Sequence, residues 1–135
     1  MYSSKLSVSI HILSVIALME TQTITSEYIA SSINTNPALV RRLMSRLKKA
    51  KLIKTSTKLG VTGLARKAED ISLLDIFLAV EDQRDLFSIH SNTNLNCPVG
   101  AKIEVTLKHL YNNIQTATEA KLSAIHLADI TKEFM

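Results

Sequence analysis

Tryptophan is absent from this 135-residue chain, Cys occurs once, Pro twice and Gly three times. One cysteine excludes an internal disulfide framework and fits a reducing compartment, so a cytoplasmic protein is expected. So little Gly and Pro leaves few places for turns, which points to a mainly α chain with few loops. Aromatics at 4% against hydrophobics at 46% imply an aliphatic core, and the length suffices to bury one. There is no phosphate-cradling glycine loop, Ser–His–Asp set or paired-carboxylate arrangement, and His11, His90, His109 and His126 are too scattered for a metal motif. Neither an enzyme nor a metal site is expected. Acidic residues are missing from one half only. Residues 1–67 hold Glu20 and Glu27 against eleven Lys and Arg, a net +9, while residues 68–135 carry −5. All of the basic residues in the first half except Lys5 lie between positions 41 and 67, which points to a polyanionic partner.

The chain is organised around the stretch from Thr25 to Lys54, two short helices joined by a tight turn and followed by a strand. Thr25 is placed to cap the first helix, with Ile24 and Ile29 as a hydrophobic staple. Asn34-Thr35 supplies the turn. Asn36 then caps a second helix whose first residue, Pro37, loses no hydrogen bond there. In that helix Val40, Leu43, Met44, Leu47 and Ala50 form an apolar stripe at helical spacing. The other face carries Ala38, Arg41, Arg42, Ser45 and Lys49, flanked by Arg46 and Lys48. A helix with arginines, a hydroxyl and no carboxylate on its free face suits a DNA major groove. An ordinary amphipathic helix with a solvated basic face is the commoner origin of such a pattern; turn, cap, Pro and downstream basic hairpin favour the DNA reading.

Ahead of this unit, Ser3–Glu20 is an apolar helix broad enough to be buried on two sides, by its own domain and by a second subunit. His11 and Ser14 interrupt the run and no small-residue cleavage site follows, so neither a signal peptide nor a membrane span is expected. Behind the unit, residues 52–55 and 64–66 read as short strands flanking a loop with Lys58, Gly60 and Gly63. These form either a wing whose basic tip reaches DNA or a plain loop. Ile71–Glu81 follows as a helix with Leu74, Phe77 and Leu78 on its apolar side. After a polar connector, Asn96 and Pro98 start a long helix. There Ile103, Leu107, Leu110, Ile114 and Ala117 repeat at four- and three-residue steps, a coiled-coil-like seam that packs either on a partner or on its own domain. A final helix, Leu127–Phe134, is expected to close over the seam. Three divisions result: 1–81, 82–97 and 98–135.

These stretches carry a resemblance. KLSVSIHILSVIAL, ITSEYIASSINTNPALVRRLMSRLKKAKLI, LAR…ISLLDIFLAVE and CPVG occur in the order found in the Rrf-two family of bacterial winged-helix regulators and cover nearly the whole chain. That family includes iron–sulfur-cluster, nitric-oxide and cysteine-metabolism repressors. NTNPALVRR and NCPVG look most like its YwnA-like branch. The resemblance implies a winged helix-turn-helix domain, a homodimer joined through the long helix, and a palindromic operator in double-stranded DNA with one recognition helix per half-site.

Some features depart from the family. Its cluster-bearing members carry three cysteines in the connector, whereas this chain has only Cys97, at the position of the last, and no His among residues 98–101. Too few donors remain, so no iron–sulfur cluster or other cofactor is expected. The wing keeps only Gly60 and Gly63 of a glycine run. Arg41 and Arg42 stand where cluster-bearing relatives have Glu and Gln, so base preference should differ. Cys97 is either a small residue capping the long helix or a thiol made acidic by the helix N-terminus and open to redox control. The resulting expectation is a dimeric DNA-binding transcription regulator, in sign a repressor. Arg41, Arg42 and Ser45 would face base edges beside Ala38, with Asn36, Arg46, Lys48, Lys49, Lys58 and Arg66 on phosphates or the minor groove. The competing class is a winged-helix module whose basic face binds an acidic partner protein.

Overall fold

The computed structural model describes residues 3–20, 22–56 and 60–135. Helices α1 (Lys5–Leu18), α2 (Ser26–Ile33) and α3 (Pro37–Lys49) lead into an antiparallel hairpin, β1 (Ile53–Ser56) and β2 (Gly60–Leu64). Helices α4 (Leu73–Val80), α5 (Ile103–Ala124) and α6 (Leu127–Thr131) follow, with 3-10 turns at Ala68–Asp70 and Lys132–Phe134.

Helix α1 is apolar nearly all round because it is the axis of the core: α2, α3, α4, α6 and β2 all pack on it. Ile12, Leu13 and Ile16 are fully buried there, and the hydroxyl of Ser14 donates to the Ile10 carbonyl at 2.8 Å. Thr25 caps α2 by accepting from the Tyr28 N–H at 3.1 Å, and Asn36 caps α3 by accepting from the Leu39 N–H at 2.9 Å. Both helices end with the same closure. After α2, Asn34 turns left-handed (φ 61°), and Thr35 N–H reaches back to the Ala30 carbonyl. After α3, Lys51 does so (φ 63°), and Leu52 N–H bonds to the Leu47 carbonyl. The stop at Lys49 leaves Ala50 exposed, outside the apolar stripe assigned to it.

Four elements differ from expectation. The second strand starts at Gly60, well before residue 64. Both glycines read as loop formers lie in it, at φ 79° (Gly60) and 152° (Gly63), the latter beside a bulge opposite Lys54 and Thr55. In α4 a capping box between Ser72 and Asp75, both bonds 3.0 Å, sets the start at Leu73. Ile76 and Val80 then face inward one turn apart, and Leu78, assigned to the apolar side, is exposed. The long helix begins at Ile103 rather than after Pro98. Residues 95–102 form turns held by Thr93 Oγ1 donating to the Gly100 carbonyl, 2.5 Å, and by Ala101 N–H to the Cys97 carbonyl, 2.9 Å. A side chain on Gly100 would collide with the Asn94 carbonyl oxygen.

The last difference is α6, which returns to the N-terminal core instead of closing over the α5 seam. Leu127 N–H bonds to the Ile71 carbonyl and Leu73 N–H to the Ile125 carbonyl, each at 2.8 Å, and Ile71 and Leu127 are fully buried. Helix α5 itself has no buried residue. Its inward side is polar and aromatic. Tyr111 stacks on Phe87 with centroids 5.1 Å apart, Gln115 accepts from Leu86 N–H and donates to the Arg84 carbonyl, and Glu119 takes Arg84 through two bonds of 2.6 and 2.8 Å. Along the seam Ile103 and Leu107 are half-buried, whereas Leu110, Ile114 and Ala117 are exposed.

Two carboxylates fasten these parts. Asp82 accepts from Arg46 at 2.6 Å and from Lys5 at 2.9 Å, joining α3 and α1 to the end of α4. These bonds hold its pKa at about 2. Arg84, then Gln115, hold Glu119 at about 2 as well. A carboxyl depressed on folding stabilises the fold above its unfolded pKa, near 4, and that contribution disappears as pH falls through its folded value. The urea midpoint should therefore fall between about pH 4.5 and pH 2. Asp82→Asn and Glu119→Gln should each lower the midpoint at pH 7 and shrink that fall.

Candidate nucleic-acid interface

Helix α3 divides cleanly into two faces. Val40, Leu43 and Leu47 are at most 2% exposed, and burying each contributes on the order of 1.5–3 kcal/mol. Arg41, Arg42, Ser45, Lys48, Lys49 and Ala38, with the cap residue Asn36, are exposed on the other side. Thirteen residues make a rod of about 20 Å. Its first turn carries no acid and its last turn carries Arg46, Lys48 and Lys49, which complements the helix dipole.

The cations differ in their freedom. Among the described residues Arg42 is in no ion pair, and Arg41 reaches only Glu27 and Ser26, both at 3.4 Å. A contact this long between exposed groups contributes little and is readily exchanged. Asn36 uses its carboxamide oxygen for the cap and keeps its N–H donors. Arg46, in contrast, is committed to Asp82 and to the Val80 carbonyl. Arg66 is held by the Asp70 carbonyl and the Asp75 carboxylate. Neither acceptor could be foreseen from helix periodicity, since Asp82 lies 36 residues beyond Arg46. Lys58 lies outside the described residues.

The wing stands beside α3. Between them and the start of α2 opens a cleft of about 340 Å³ lined by Thr25, Ser26, Arg41, Met44, Thr55 and Gly60. Ser26 and Glu27, the residues that hold Arg41, were missed by the sequence reading. Their signal was the scarcity of acid, Glu27 being one of two carboxylates in residues 1–67.

Cys97 is exposed, in the turns that precede α5. The N–H groups of Gly100 and then Val99 push its thiol pKa down. One thiolate falls short of the four ligands an iron–sulfur cluster takes, and no group of three or more His, Cys, Asp or Glu is gathered among the described residues. The donor set does not fit a cluster. No described helix is long and apolar enough to cross a membrane.

Comparison with known proteins agrees with this geometry. Residues 2–133 match the Rrf2 family model, described as an iron-dependent transcriptional regulator. The "Putative HTH-type transcriptional regulator YwnA" of Bacillus subtilis (strain 168) is 44% identical over 132 residues, 96% of each chain. A crystal structure "of a putative DNA binding protein" is 38% identical and superposes with a TM-score of 0.77 over 94% of this chain and 98% of that one. CymR, the global cysteine regulator of B. subtilis, shares the fold at 18% identity and a TM-score of 0.70 over 98% and 96% of the two chains. Family and relatives are transcriptional regulators rather than enzymes. A winged helix-turn-helix with its arginine-bearing helix outward, matched over residues 2–133, places this chain in the Rrf2 family of transcriptional regulators.

Proposed function

We propose that the protein is a cytoplasmic, homodimeric repressor that reads a palindromic operator without an iron–sulfur cluster. The observation that carries this reading is the division of α3 between a buried aliphatic row and an exposed row of Ala38, Arg41, Arg42, Ser45 and Lys49. One α3 enters the major groove of each half-site, with Arg41, Arg42 and Ser45 toward base edges. Asn36, Lys48 and Lys49 contact phosphate; Arg46 and Arg66 hold the fold. Residues 1–81 serve as the reading unit, 82–97 as connector and sensor, and α5 within 98–135 as the dimer helix, with α6 docked on the reading unit.

Arg42→Ala should relax discrimination at one base pair of each half-site by about 1–3 kcal/mol in a panel of substituted operators. Lys49→Ala should weaken binding to every sequence alike and reduce the salt slope by about 0.9 per contact, about 2 for a symmetric pair. An unchanged slope would remove Lys49 from the phosphate set.

The dimer reading draws on the exposed apolar side of α5, where Leu110 is 49% and Ile114 37% exposed. Because Ile114 lies on the exposed apolar side of α5, Ile114→Glu should leave helix content unchanged while moving the sedimentation profile from dimer to monomer. A dimer that persists in this variant would refute the seam.

Cys97 is proposed as a thiol switch. Hydrogen peroxide would oxidise its thiolate to a sulfenic acid, and resolution by a thiol gives a disulfide, including one to Cys97 of a second copy. Peroxide should change operator affinity in the parent protein and leave Cys97→Ser indifferent. Equal responses would eliminate the switch.

A further inference from the structure

The few aromatic residues of this chain are unevenly spread. Of three Phe and three Tyr, Phe77, Phe87 and Tyr111 line one cleft of about 710 Å³. Its walls come from every division of the molecule: Leu6 on α1, Phe77 on α4 and Glu81 just after it, Asp85 and Phe87 in the connector, and Tyr111 on α5. The volume lies in the range of small-molecule sites, about 300–1,000 Å³.

Charge distinguishes this cleft from the rest of the surface. No Lys, Arg or His lines it, in a chain with a net charge of +4, while Glu81 and Asp85 do. Neighbouring carboxylates are neutralised by close partners: Asp75 by Arg66, Asp82 by Arg46 and Lys5, and Glu119 by Arg84. Glu81 and Asp85 are in no ion pair among the described residues, although Arg84 attracts Asp85 through space and Glu81 also borders a hollow that holds Arg46 and Lys49. A second hollow across the Phe87–Tyr111 pair, which Asp85 also borders, includes Lys108 and lacks this single sign of charge.

Carboxylates beside aromatic rings favour an organic cation, whose charge is attracted both by the anions and by the ring faces, while its carbon skeleton buries apolar surface. We propose that this cleft binds a small organic ammonium ion, its charge held by Glu81 and Asp85 and its apolar part by Phe77, Phe87 and Tyr111. The bound cation would touch the reading unit, the connector and α5 together. The site goes beyond the DNA-binding reading, and direct binding tests it whether or not that reading holds.

The test uses the full chain titrated with 2-phenylethylammonium, 2-phenylethanol and phenylacetate, by calorimetry and by the NMR ring signals of Tyr111 and Phe87. The ammonium ion should bind at least tenfold more tightly than the alcohol and shift both rings, and phenylacetate should bind more weakly still. Glu81→Gln with Asp85→Asn should cost at least tenfold for the ammonium ion and leave the alcohol unchanged. Should that double variant fail to fold, Asp85→Asn alone, at an exposed connector position, should show the same selective loss. Equal binding of alcohol and ammonium, an unchanged affinity in the variants, or no binding at millimolar ammonium would each overturn the proposal.

Discussion

The inward row of α3 must stay buried, and the arrangement of its polar face follows from that. Val40, Leu43 and Leu47 pack into the core built on Ile12, Leu13 and Ile16 of α1, and this fixes both the direction of α3 and its rotation about its own axis. A helix has one degree of rotational freedom once its axis is set. With three aliphatic side chains on one side, the residues about 100° and more away, Arg41, Arg42, Ser45 and Lys49, are turned outward from the core, Arg41 toward Glu27 and Ser26. Truncating any of the three buried residues to alanine would cost on the order of 2–5 kcal/mol, a large share of a small domain's stability. The polar face has no comparable hold on the fold, so its chemistry is free to be set by what it recognises.

The helix-turn-helix was legible because its signals are local. Thr25, Asn34, Asn36 and Pro37 each act within four residues of their partners, and each behaves in the fold as its chemistry dictates. What could not be read depends on distant partners. The hairpin register turns on a bulge at Lys54 and Thr55, and periodicity carries no trace of it. Leu78 follows an apolar pattern yet faces outward, because the buried side of α4 is chosen by Ile76 and Val80 against α1 and α3. Cys97 lies in turns ahead of α5, since close packing of Gly100 on Asn94 delays the regular helix to Ile103.

The lopsided charge of the chain has two origins that sequence alone merges. Part of the basic excess lies exposed on the outer face of α3. Another part is cancelled within the fold, where Lys5, Arg46 and Arg66 from the basic half meet Asp82 and Asp75 from the acidic half. These exposed bridges are individually weak. Their effect is positional: they draw the end of α4 against the start of α1 and the tail of α3, while Arg42 and Lys49 are in no ion pair among the described residues.

The return of the chain terminus has a mechanical consequence. Helix α5 is anchored to the rest of the chain through Arg84 and Phe87 near its middle and, beyond its end, through the backbone pairing of Leu127 with Ile71. A rod pinned at two points cannot pivot on a flexible neck. A change in the direction of α5 would have to break the Arg84 and Phe87 contacts or carry the 71–73 segment and α6 along with it.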